Sequence, residues 1–236
     1  MITQIVCYHL PPTKERLAEF CAILYQNIIN KFITKIDLFI EDMSLQTCPW
    51  IEAVRIREMW NNPKVELFKT YKRHTYQELI NHANKNIKNL AMISNCDIHY
   101  DDTLELLQKV DFTKHAVCLS KIEILGWHDN GAGKLFHLTP EMHGYSQDTW
   151  VFQPPIKKMN NANFFMGIQR CDNRISYEFN KIELKPINPA NDINSYHCHL
   201  SGVRTYRQDI DCVPGPVLFV SPPYDLIPKF MKDCFR

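Results

Sequence analysis

Glycine is scarce in this chain, with seven residues among 236, and the glycine-containing motifs that bind phosphates are absent. The sequence has neither G-x-x-x-x-G-K-[ST] nor G-x-G-x-x-G, which argues against a P-loop NTPase and against a dinucleotide oxidoreductase. It also lacks G-x-S-x-G and H-E-x-x-H, the signatures of α/β-hydrolases and of one large class of zinc proteases. The chemistry of this protein must therefore be sought in other residue types.

An excess of charge of either sign is also missing. The chain has 27 Lys and Arg residues against 26 Asp and Glu residues, for a formal net charge of +1. A protein that binds nucleic acid or an anionic membrane usually carries a basic surplus. We therefore expect no nucleic-acid partner, and a metal-dependent nuclease fits the composition poorly.

Paired cysteines and long apolar runs are absent as well. The nine cysteines are odd in number and form no C-x-x-C pair, and no signal peptide follows Met1. A reducing compartment is the natural interpretation. No apolar run approaches the roughly 20 residues that a membrane-spanning helix needs. The sequence therefore predicts a cytoplasmic protein, in the host cytoplasm if the gene is viral, without a transmembrane segment, and leaves its oligomeric state open.

Strands and helices alternate over the first hundred residues. Helices are predicted after Pro11-Pro12-Thr13, from Pro49 to about Trp60, and after the capping box Thr75–Glu78. The predicted strands are Ile5–Tyr8, Ile36–Ile40, Val65–Phe68 and Leu90–Ser94. Strands separated by helices of this length pair in parallel through right-handed crossovers, which predicts an α/β fold.

The pattern changes after residue 110, where apolar segments follow one another without long helices between them. We expect strands at residues 116–122, 135–138, 149–152 and 163–166. Asp172 is predicted to N-cap a helix that runs to about Lys181. The five prolines between Pro214 and Pro228 indicate an extended tail.

The apolar run Leu90–Ser94 ends in side chains that can bind a metal. In alternating βα chains, ligands bind just past the carboxyl ends of the strands. Asp97 and His99 are two residues apart, so on an extended segment they would face the same side. A carboxylate with an imidazole suits Mn²⁺, whereas Mg²⁺ prefers oxygen ligands. Spacing alone leaves open that Asp97 caps a turn and that His99 lies in a solvated loop.

The segment His197-Cys198-His199 repeats this spacing near the end of the chain. The two histidines could supply a further ligand to a cation at Asp97 or contact a phosphate, and they could equally lie on a half-buried strand. Arg204 and Arg207 follow, and arginine has the bidentate geometry that phosphate prefers.

Two aspartates are candidates for a general base. Asp172 lies at a predicted helix start, where the helix dipole stabilises an anion, and a carboxylate there could accept a proton from a hydroxyl. Its alternative role is a plain N-cap. Asp148 is the second candidate, and nearby Trp150 offers an apolar face for a sugar ring, or else belongs to the core.

The order of these clusters resembles that of GT-A fold glycosyltransferases found in bacteria and in large DNA viruses such as chlorella viruses. The resemblance runs from about Ile5 to Tyr206. It is carried by R-H-T-Y-Q-E-L-I-N-H-A-N (73–84), S-N-C-D-I-H-Y-D-D-T-L (94–104), S-Q-D-T-W-V-F (146–152), G-I-Q-R-C-D-N-R-I-S-Y-E-F (167–179), I-N-P (187–189) and H-C-H-L-S-G-V-R-T-Y (197–206).

The resemblance implies a nucleotide-sugar donor, a UDP-sugar, held with Mn²⁺ or Mg²⁺. Asp97 and His99 would occupy the place of the family's D-x-D metal motif, with His in place of the second Asp. His197 or His199 would make a C-terminal contact with the metal or the diphosphate. Asp172 falls where inverting members carry the catalytic base, and Asp148 is next in line.

The resemblance also implies a set of donor contacts. Cys7, Tyr8 and His9 follow the first strand, and Glu41 and Asp42 follow the second, where the family holds the nucleoside. The remaining residues predicted to bind the nucleotide sugar are Arg73, Asn95, Asp97, Ile98, Trp150 and Arg204.

These expectations combine into one prediction: a hexosyltransferase with a mostly parallel, Rossmann-like GT-A sheet and a smaller mixed-sheet acceptor half. We expect one catalytic domain at 1–207, with a nucleotide-binding half at 1–105 and an acceptor and metal half at 106–207, followed by a tail at 208–236. The partners would be a UDP-sugar and a glycan acceptor.

Two alternative functions stay open. A sugar-nucleotide pyrophosphorylase usually has a glycine-rich loop after the first strand, and Cys7–Pro12 contains no glycine. A non-catalytic carbohydrate-binding domain of GT-A type is the other alternative, because the metal motif departs from D-x-D.

Overall fold

The computed structural model describes residues 1–127, 133–137, 144, 146–203, 212–222 and 224–227. Its strands are β1 (Ile2–Tyr8), β2 (Ile33–Ile40), β3 (Val65–Lys69), β4 (Leu90–Ser94), β5 (Ile98–Tyr100), β6 (His115–Ser120), β7 (Ile122–Trp127), β8 (Gly133–His137), β9 (Gln147–Phe152), β10 (Lys185–Ile187) and β11 (Ser195–Cys198). Its helices are α1 (Lys14–Ile29), α2 (Ser44–Thr47), α3 (Ile51–Met59), α4 (Tyr76–Asn86), a 3₁₀ helix (Asp102–Lys109) and α5 (Cys171–Lys181).

A seven-stranded sheet forms the centre of the molecule, in the order β10-β6-β9-β4-β1-β2-β3. Strands β1 to β4 are mutually parallel, as their helical crossovers require. Strand β9 runs antiparallel to both of its neighbours, β4 and β6, and β10 pairs in parallel with β6. This arrangement confirms the predicted α/β class with a mostly parallel central sheet.

A second, mixed sheet has the order β5-β11-β7-β8. Strand β11 is antiparallel to β5 and parallel to β7, and its Tyr196 pairs with both His99 and Ile122, so a late strand joins two strands from much earlier in the chain. This is the smaller mixed sheet that was predicted for the second half of the chain.

The helix starts in the first half follow the capping residues of the sequence. Thr13 Oγ1 accepts a hydrogen bond from the backbone N of Arg16 at 3.3 Å and caps α1. The capping box at α4 is present in full, because Thr75 Oγ1 accepts from Glu78 N and Glu78 Oε2 accepts from Thr75 N. On α1, the buried face includes Leu17 and Phe20, as the apolar spacing predicts.

Three elements of the second half differ from their predictions. The segment 163–166 is not a strand, because its neighbourhood caps α4 instead: the carbonyls of Ala162 and Phe164 accept from the first free backbone N–H groups of that helix. The predicted strand at 116–122 is divided at Lys121 into β6 and β7, which belong to different sheets. Helix α5 begins two residues earlier than expected, with Arg170 at the N-cap position at φ 69°, so Asp172 lies in its first turn and is not the N-cap.

The described part of the C-terminal segment is extended and hydrogen bonded to the body of the protein. Val213 N donates to the carbonyl of Gln169 at 3.0 Å, and Leu218 N donates to the carbonyl of Asn173 at 2.9 Å. The position of the domain boundary at residue 207 stays a prediction. Among the described helices, none combines the length and the apolar composition needed to cross a bilayer.

Candidate functional site

A cavity of about 1040 Å³ lies at one edge of the central sheet. Parallel strands place their carboxyl ends at the same edge, and the residues that follow them gather there. Strand β9 is antiparallel, so its first residues reach this edge as well. The charged and histidine side chains that line the cavity are His9, Arg16, Glu41, Arg73, Asp97, Lys121, Glu123, Asp148, Arg170, Asp172, His197 and His199.

Three of these side chains form a cluster that can hold a metal ion. One ligand atom from each of Asp97, His197 and His199 lies within 4.8 Å of the other two. Asp97 is in the turn between β4 and β5, while His197 is on β11 and His199 follows the end of that strand. Alternation along the extended chain puts the two histidines on one side, and their ring centroids are 5.4 Å apart.

The two carboxylate oxygens of Asp97 have different surroundings. Oδ2 accepts a hydrogen bond from the Arg16 guanidinium and lies 3.1 Å from His197 Nε2. Oδ1 is buried and has no hydrogen-bond partner among the described residues. Burial alone would raise the pKa of Asp97, but His197 and Arg16 hold it below its usual range, so the carboxylate is ionised.

Each histidine of the cluster uses one ring nitrogen on an acceptor outside it. His197 Nδ1 lies 2.6 Å from Glu123 Oε2, and His199 Nε2 lies 2.8 Å from the carbonyl oxygen of Val203. Burial would lower the pKa of His197, but Asp97 and Glu123 raise it to about 9. Burial and Arg16 lower the pKa of His199.

These residues fit a divalent cation. An ionised carboxylate with one unsatisfied, buried oxygen is a ready ligand, because that oxygen otherwise costs free energy. Metal-binding histidines are typically held through their second nitrogen by a carboxylate or a backbone carbonyl, as both histidines are here. One oxygen and two nitrogens suit Mn²⁺ or a similar ion.

A second charged network lies beside the cluster. Lys121 Nζ is 3.2 Å from Glu123 Oε1 and 3.0 Å from Asp148 Oδ2, and the two carboxylates raise the pKa of Lys121 in spite of its burial. Asp148 Oδ1 accepts a hydrogen bond from Asn95 Nδ2 at 2.6 Å. One oxygen of Asp148 therefore faces the Lys121 ammonium group, and the other accepts a hydrogen bond from Asn95.

Asp172 differs from the other carboxylates of the cavity. It lies in the first turn of α5, where its Oδ1 accepts from Asn173 N at 2.9 Å. Burial raises the pKa of Asp172 to about 6, with a smaller contribution from the charge of Asp148. A carboxylate with this pKa is largely ionised at neutral pH and can still accept a proton readily.

The opposite wall of the cavity follows the first two strands. His9 Nδ1 lies 3.9 Å from Glu41 Oε2, and burial raises the pKa of both the Cys7 thiol and the Glu41 carboxyl group. Arg73 donates a hydrogen bond to the carbonyl of Met166, which joins this wall to the residues before α5. The wall thus combines a cation with groups that can bind a base or a ribose.

Most of the residues that the sequence singled out lie in this one cavity. The lining residues that were predicted are Cys7, His9, Arg73, Asn95, Asp97, Asp148, Asp172, His197 and His199. They come from both the first and the second half of the chain.

His99 does not join the metal-binding cluster, contrary to the expectation that it shares a side with Asp97. Asp97 is in a turn, so the alternation assumed for an extended segment does not apply. His99 pairs with Tyr196 in the ladder between β5 and β11, and the two rings stack with centroids 5.0 Å apart. Burial lowers the pKa of His99 to about 4.

Four predicted donor contacts also lie outside the cavity. Tyr8, Ile98 and Trp150 are buried in the core with at most 1% exposure, and Trp150 packs edge-on against Tyr76. The core alternative for Trp150 is therefore the one that the structure supports. Asp42 accepts from the backbone N of Leu10 and of Leu45, so it holds the chain after β2. Arg204 lies outside the described residues.

Three charged residues that line the cavity were missed by the sequence analysis. Arg16 contacts Asp97, Lys121 pairs with two carboxylates, and Glu123 contacts His197. Arg16 is a charged residue next to the apolar Leu17 on α1, which offers a weak signal that it is buried. No signal marks Lys121 and Glu123, because their roles depend on the strand register of the second sheet.

Comparisons with known proteins identify a fold and no family. No protein-family model matches the chain, and no curated protein matches its sequence. The solved structures that match include the crystal structure of GalNAc-T7 with UDP, GalNAc and Mn²⁺, at 10% sequence identity and a TM-score of 0.51. The match covers 86% of this chain and 45% of the other, so this chain spans less than half of that protein's length. At this identity the likeness shows a shared GT-A-like fold.

Proposed function

We propose that this chain is a metal-dependent glycosyltransferase, which moves a sugar from a nucleotide-sugar donor, a UDP-sugar, to a hydroxyl group of a glycan acceptor. The observation that carries the proposal is the meeting of the cluster Asp97, His197 and His199 with Asp172 in one cavity. The similar fold of GalNAc-T7, whose crystal structure holds UDP, GalNAc and Mn²⁺, supports it.

In this proposal Asp97, His197 and His199 hold a divalent cation, Mn²⁺ or Mg²⁺. When bound, such a cation stabilises the negative charge that develops on the leaving nucleoside diphosphate. Arg73 lies on the cavity wall as a further cation for the diphosphate or the base. Cys7 lies near the end of β1 and His9 follows it, where the carboxyl end of the strand offers space for the nucleoside.

Asp172 is the base in this proposal. Its carboxylate accepts the proton of the acceptor hydroxyl as the hydroxyl oxygen forms a bond to the anomeric carbon. The bond from that carbon to the diphosphate oxygen breaks in the same step, and its electron pair leaves with the nucleoside diphosphate. Attack from the face opposite the leaving group inverts the anomeric configuration.

Asp148 is less suited to this role than Asp172. Its two oxygens already face Lys121 Nζ and Asn95 Nδ2, so both have partners on the cavity wall. Asp148 instead contributes negative charge that helps to raise the pKa of Asp172. We assign it a supporting position beside the base.

Calorimetric titration of UDP, with and without Mn²⁺, tests the donor site. We expect binding that depends on Mn²⁺ and is lost in Asp97→Ala. The matched control is Asp102→Asn, because Asp102 is an exposed carboxylate nearby that pairs with Lys31 on the surface. Absence of UDP binding in both conditions would contradict the UDP proposal, and titration of GDP, dTDP and CMP would then test the other nucleotides.

Product analysis tests the reaction itself. A transferase is expected to release UDP slowly from its UDP-sugar by Mn²⁺-dependent hydrolysis without an acceptor, whereas a non-catalytic binding domain releases none. A pyrophosphorylase would instead form a nucleoside triphosphate from the UDP-sugar and pyrophosphate. With an acceptor present, NMR of the product should show an anomeric configuration opposite to that of the donor, and retention would overturn the role of Asp172.

A further inference from the structure

Glu123 lies beside the candidate cation cluster without belonging to it. Strands β7 and β11 are parallel neighbours, and in their ladder Glu123 is the direct partner of His197. The two side chains consequently leave the sheet on the same face, and Glu123 Oε2 is 2.6 Å from His197 Nδ1. Their contact follows from the strand register, so it is built into the second sheet.

This contact determines which ring nitrogen of His197 faces the cluster. A carboxylate at Nδ1 requires a proton on that nitrogen, since the carboxylate can only accept. The other nitrogen, Nε2, lies 3.1 Å from Asp97 Oδ2, on the side of the ring where a cation would share Asp97. Glu123 thus holds the ring in the orientation that directs Nε2 to the cluster, where a cation would take the place of the proton that Nε2 shares with Asp97.

Glu123 is itself held in place by a contact at each of its oxygens. Lys121 Nζ lies 3.2 Å from its second oxygen, Oε1, so each carboxylate oxygen has its own partner. Lys121 is anchored in turn by Asp148 at 3.0 Å. The chain of contacts from Asp148 to His197 leaves Glu123 little freedom to move.

We propose that Glu123 is a positioning residue for the cation site, which fixes His197 so that its Nε2 can bind a divalent cation together with Asp97 and His199. The proposal rests on the cation site of the proposed function and adds a residue that acts on it only through His197. Glu41 provides a contrast, because it is a carboxylate of the same cavity that lies 3.9 Å from His9, a residue outside the candidate cation cluster.

The test is the affinity for Mn²⁺ alone, measured by electron paramagnetic resonance in the full chain without nucleotide. We expect Glu123→Ala to weaken Mn²⁺ binding by about 10- to 100-fold, the usual effect of losing a carboxylate that supports a histidine ligand. Glu123→Gln should show a smaller loss, because its amide oxygen still accepts from Nδ1. Glu41→Gln, which removes the same charge from the same cavity, should leave Mn²⁺ affinity nearly unchanged.

A second readout separates positioning from general stability. In nitrogen NMR spectra of the histidine rings without metal, Glu123→Ala should change the signals of His197, and Glu41→Gln should not. Equal Mn²⁺ losses in Glu123→Ala and Glu41→Gln would mean that charge alone acts, and would overturn the proposal. Wild-type Mn²⁺ affinity in a folded Glu123→Ala variant, or no Mn²⁺ binding by the wild type, would overturn it as well.

The outcome for Glu123 can be distinguished from that for the glycosyltransferase proposal. If Mn²⁺ binds and depends on Glu123 but UDP does not bind, the positioning role stands and the donor assignment fails. If UDP binds with Mn²⁺ and Glu123→Ala binds Mn²⁺ as the wild type does, the donor assignment stands and the positioning role fails.

Discussion

The two halves of the chain supply the cavity by different structural means. In the first half, polar residues such as His9 and Glu41 follow the ends of parallel strands, and the fold gathers them at one sheet edge. In the second half, Glu123 and His197 lie within strands, and the register between β7 and β11 brings them together. The first arrangement can be inferred from the order of the strands. The second depends on the pairing register, because a shift of one residue would turn the side chains of a strand to the other face of the sheet.

A second contrast concerns two carboxylates of the cavity, one from each half. Asp97 has its pKa lowered because Arg16 and His197 contact it, although burial acts in the opposite direction. Asp172 has its pKa raised to about 6 by burial, with no cation in direct contact among the described residues. When their surroundings move the pKa values of two carboxyl groups apart, the group with the low pKa is suited to hold a positive charge, and the group with the raised pKa is suited to proton transfer.

The largest expected effect comes from removing Asp172, the base that we propose in the second half. We expect Asp172→Asn to lower the turnover number by about 100-fold or more, as is typical for the loss of a general base. UDP and Mn²⁺ binding should be unchanged, because Asp172 is not part of the cation cluster. Steady-state kinetics with a UDP-sugar and calorimetry on the same preparation measure both quantities. Equal losses of binding and turnover would place Asp172 in the donor site instead.

The pH profile of the wild type gives an independent check on Asp172. The base must be ionised to work, and burial raises its pKa to about 6. The ratio kcat/KM should therefore be level above that value and fall as the pH drops through it. Asp148→Asn removes the nearby negative charge and should move this fall to lower pH. A level profile down to pH 5 would argue that a different group accepts the proton.

The next effect tests the connection between the halves. Arg16, on α1, donates to Asp97 and also, at 2.9 Å, to the carbonyl oxygen of Cys198, between the two clustered histidines. Arg16→Met leaves Asp97 and Glu19 buried without this cation. We expect a loss of about 3–5 kcal/mol in the free energy of unfolding, as for other broken buried ion pairs.

Urea denaturation measures this effect, and Lys31→Met is its matched control. Lys31 pairs with Asp102 at 2.7 Å on the exposed surface, so its removal should not change stability measurably. If Arg16→Met unfolds at the same urea concentration as the wild type, the contacts of Arg16 do not join the two halves. Adding Mn²⁺ to each variant then shows whether the loss extends to the cation cluster.

The first half of the fold was predictable because its signals are local. Thr13 and Thr75 mark helix starts, and each strand between the helices is a short apolar run with a defined end. The 3.6-residue period of α1 gives its buried face without knowledge of the partner strands. Side chains after the strand ends, such as Asp97, could therefore be assigned to a shared site from topology alone.

The second half was less predictable because its structure depends on long-range pairing. Nothing local distinguishes 163–166, an apolar segment that caps α4, from an edge strand. Nor does the sequence show that Lys121 separates two strands of different sheets. The sequence analysis missed Arg16 and Glu123 for the same reason. Arg16 contacts Asp97 and Glu123 contacts His197, and each pair joins elements that are far apart in the chain.

The smallest expected effect concerns His99, whose place relative to His197 follows from register. In the ladder between β5 and β11, His99 is opposite Tyr196, while Ile98 is opposite His197. Neighbouring residues of a strand face opposite sides, so His99 and His197 are on different faces of the second sheet. His99→Phe preserves the stacking with Tyr196 and should leave Mn²⁺ affinity unchanged within error, whereas His197→Phe should abolish Mn²⁺ binding.

Electron paramagnetic resonance of Mn²⁺ with both variants decides between the two faces. Loss of binding in His99→Phe would require His99 to reach Asp97, and therefore a shift of β5 by one residue against β11. Such a shift would also turn Ile98, which is fully buried, toward the other face and expose it to solvent. The burial of Ile98 and the position of His197 in the cation cluster therefore depend on the same register between β5 and β11. A register shift that changed one of them would also change the other.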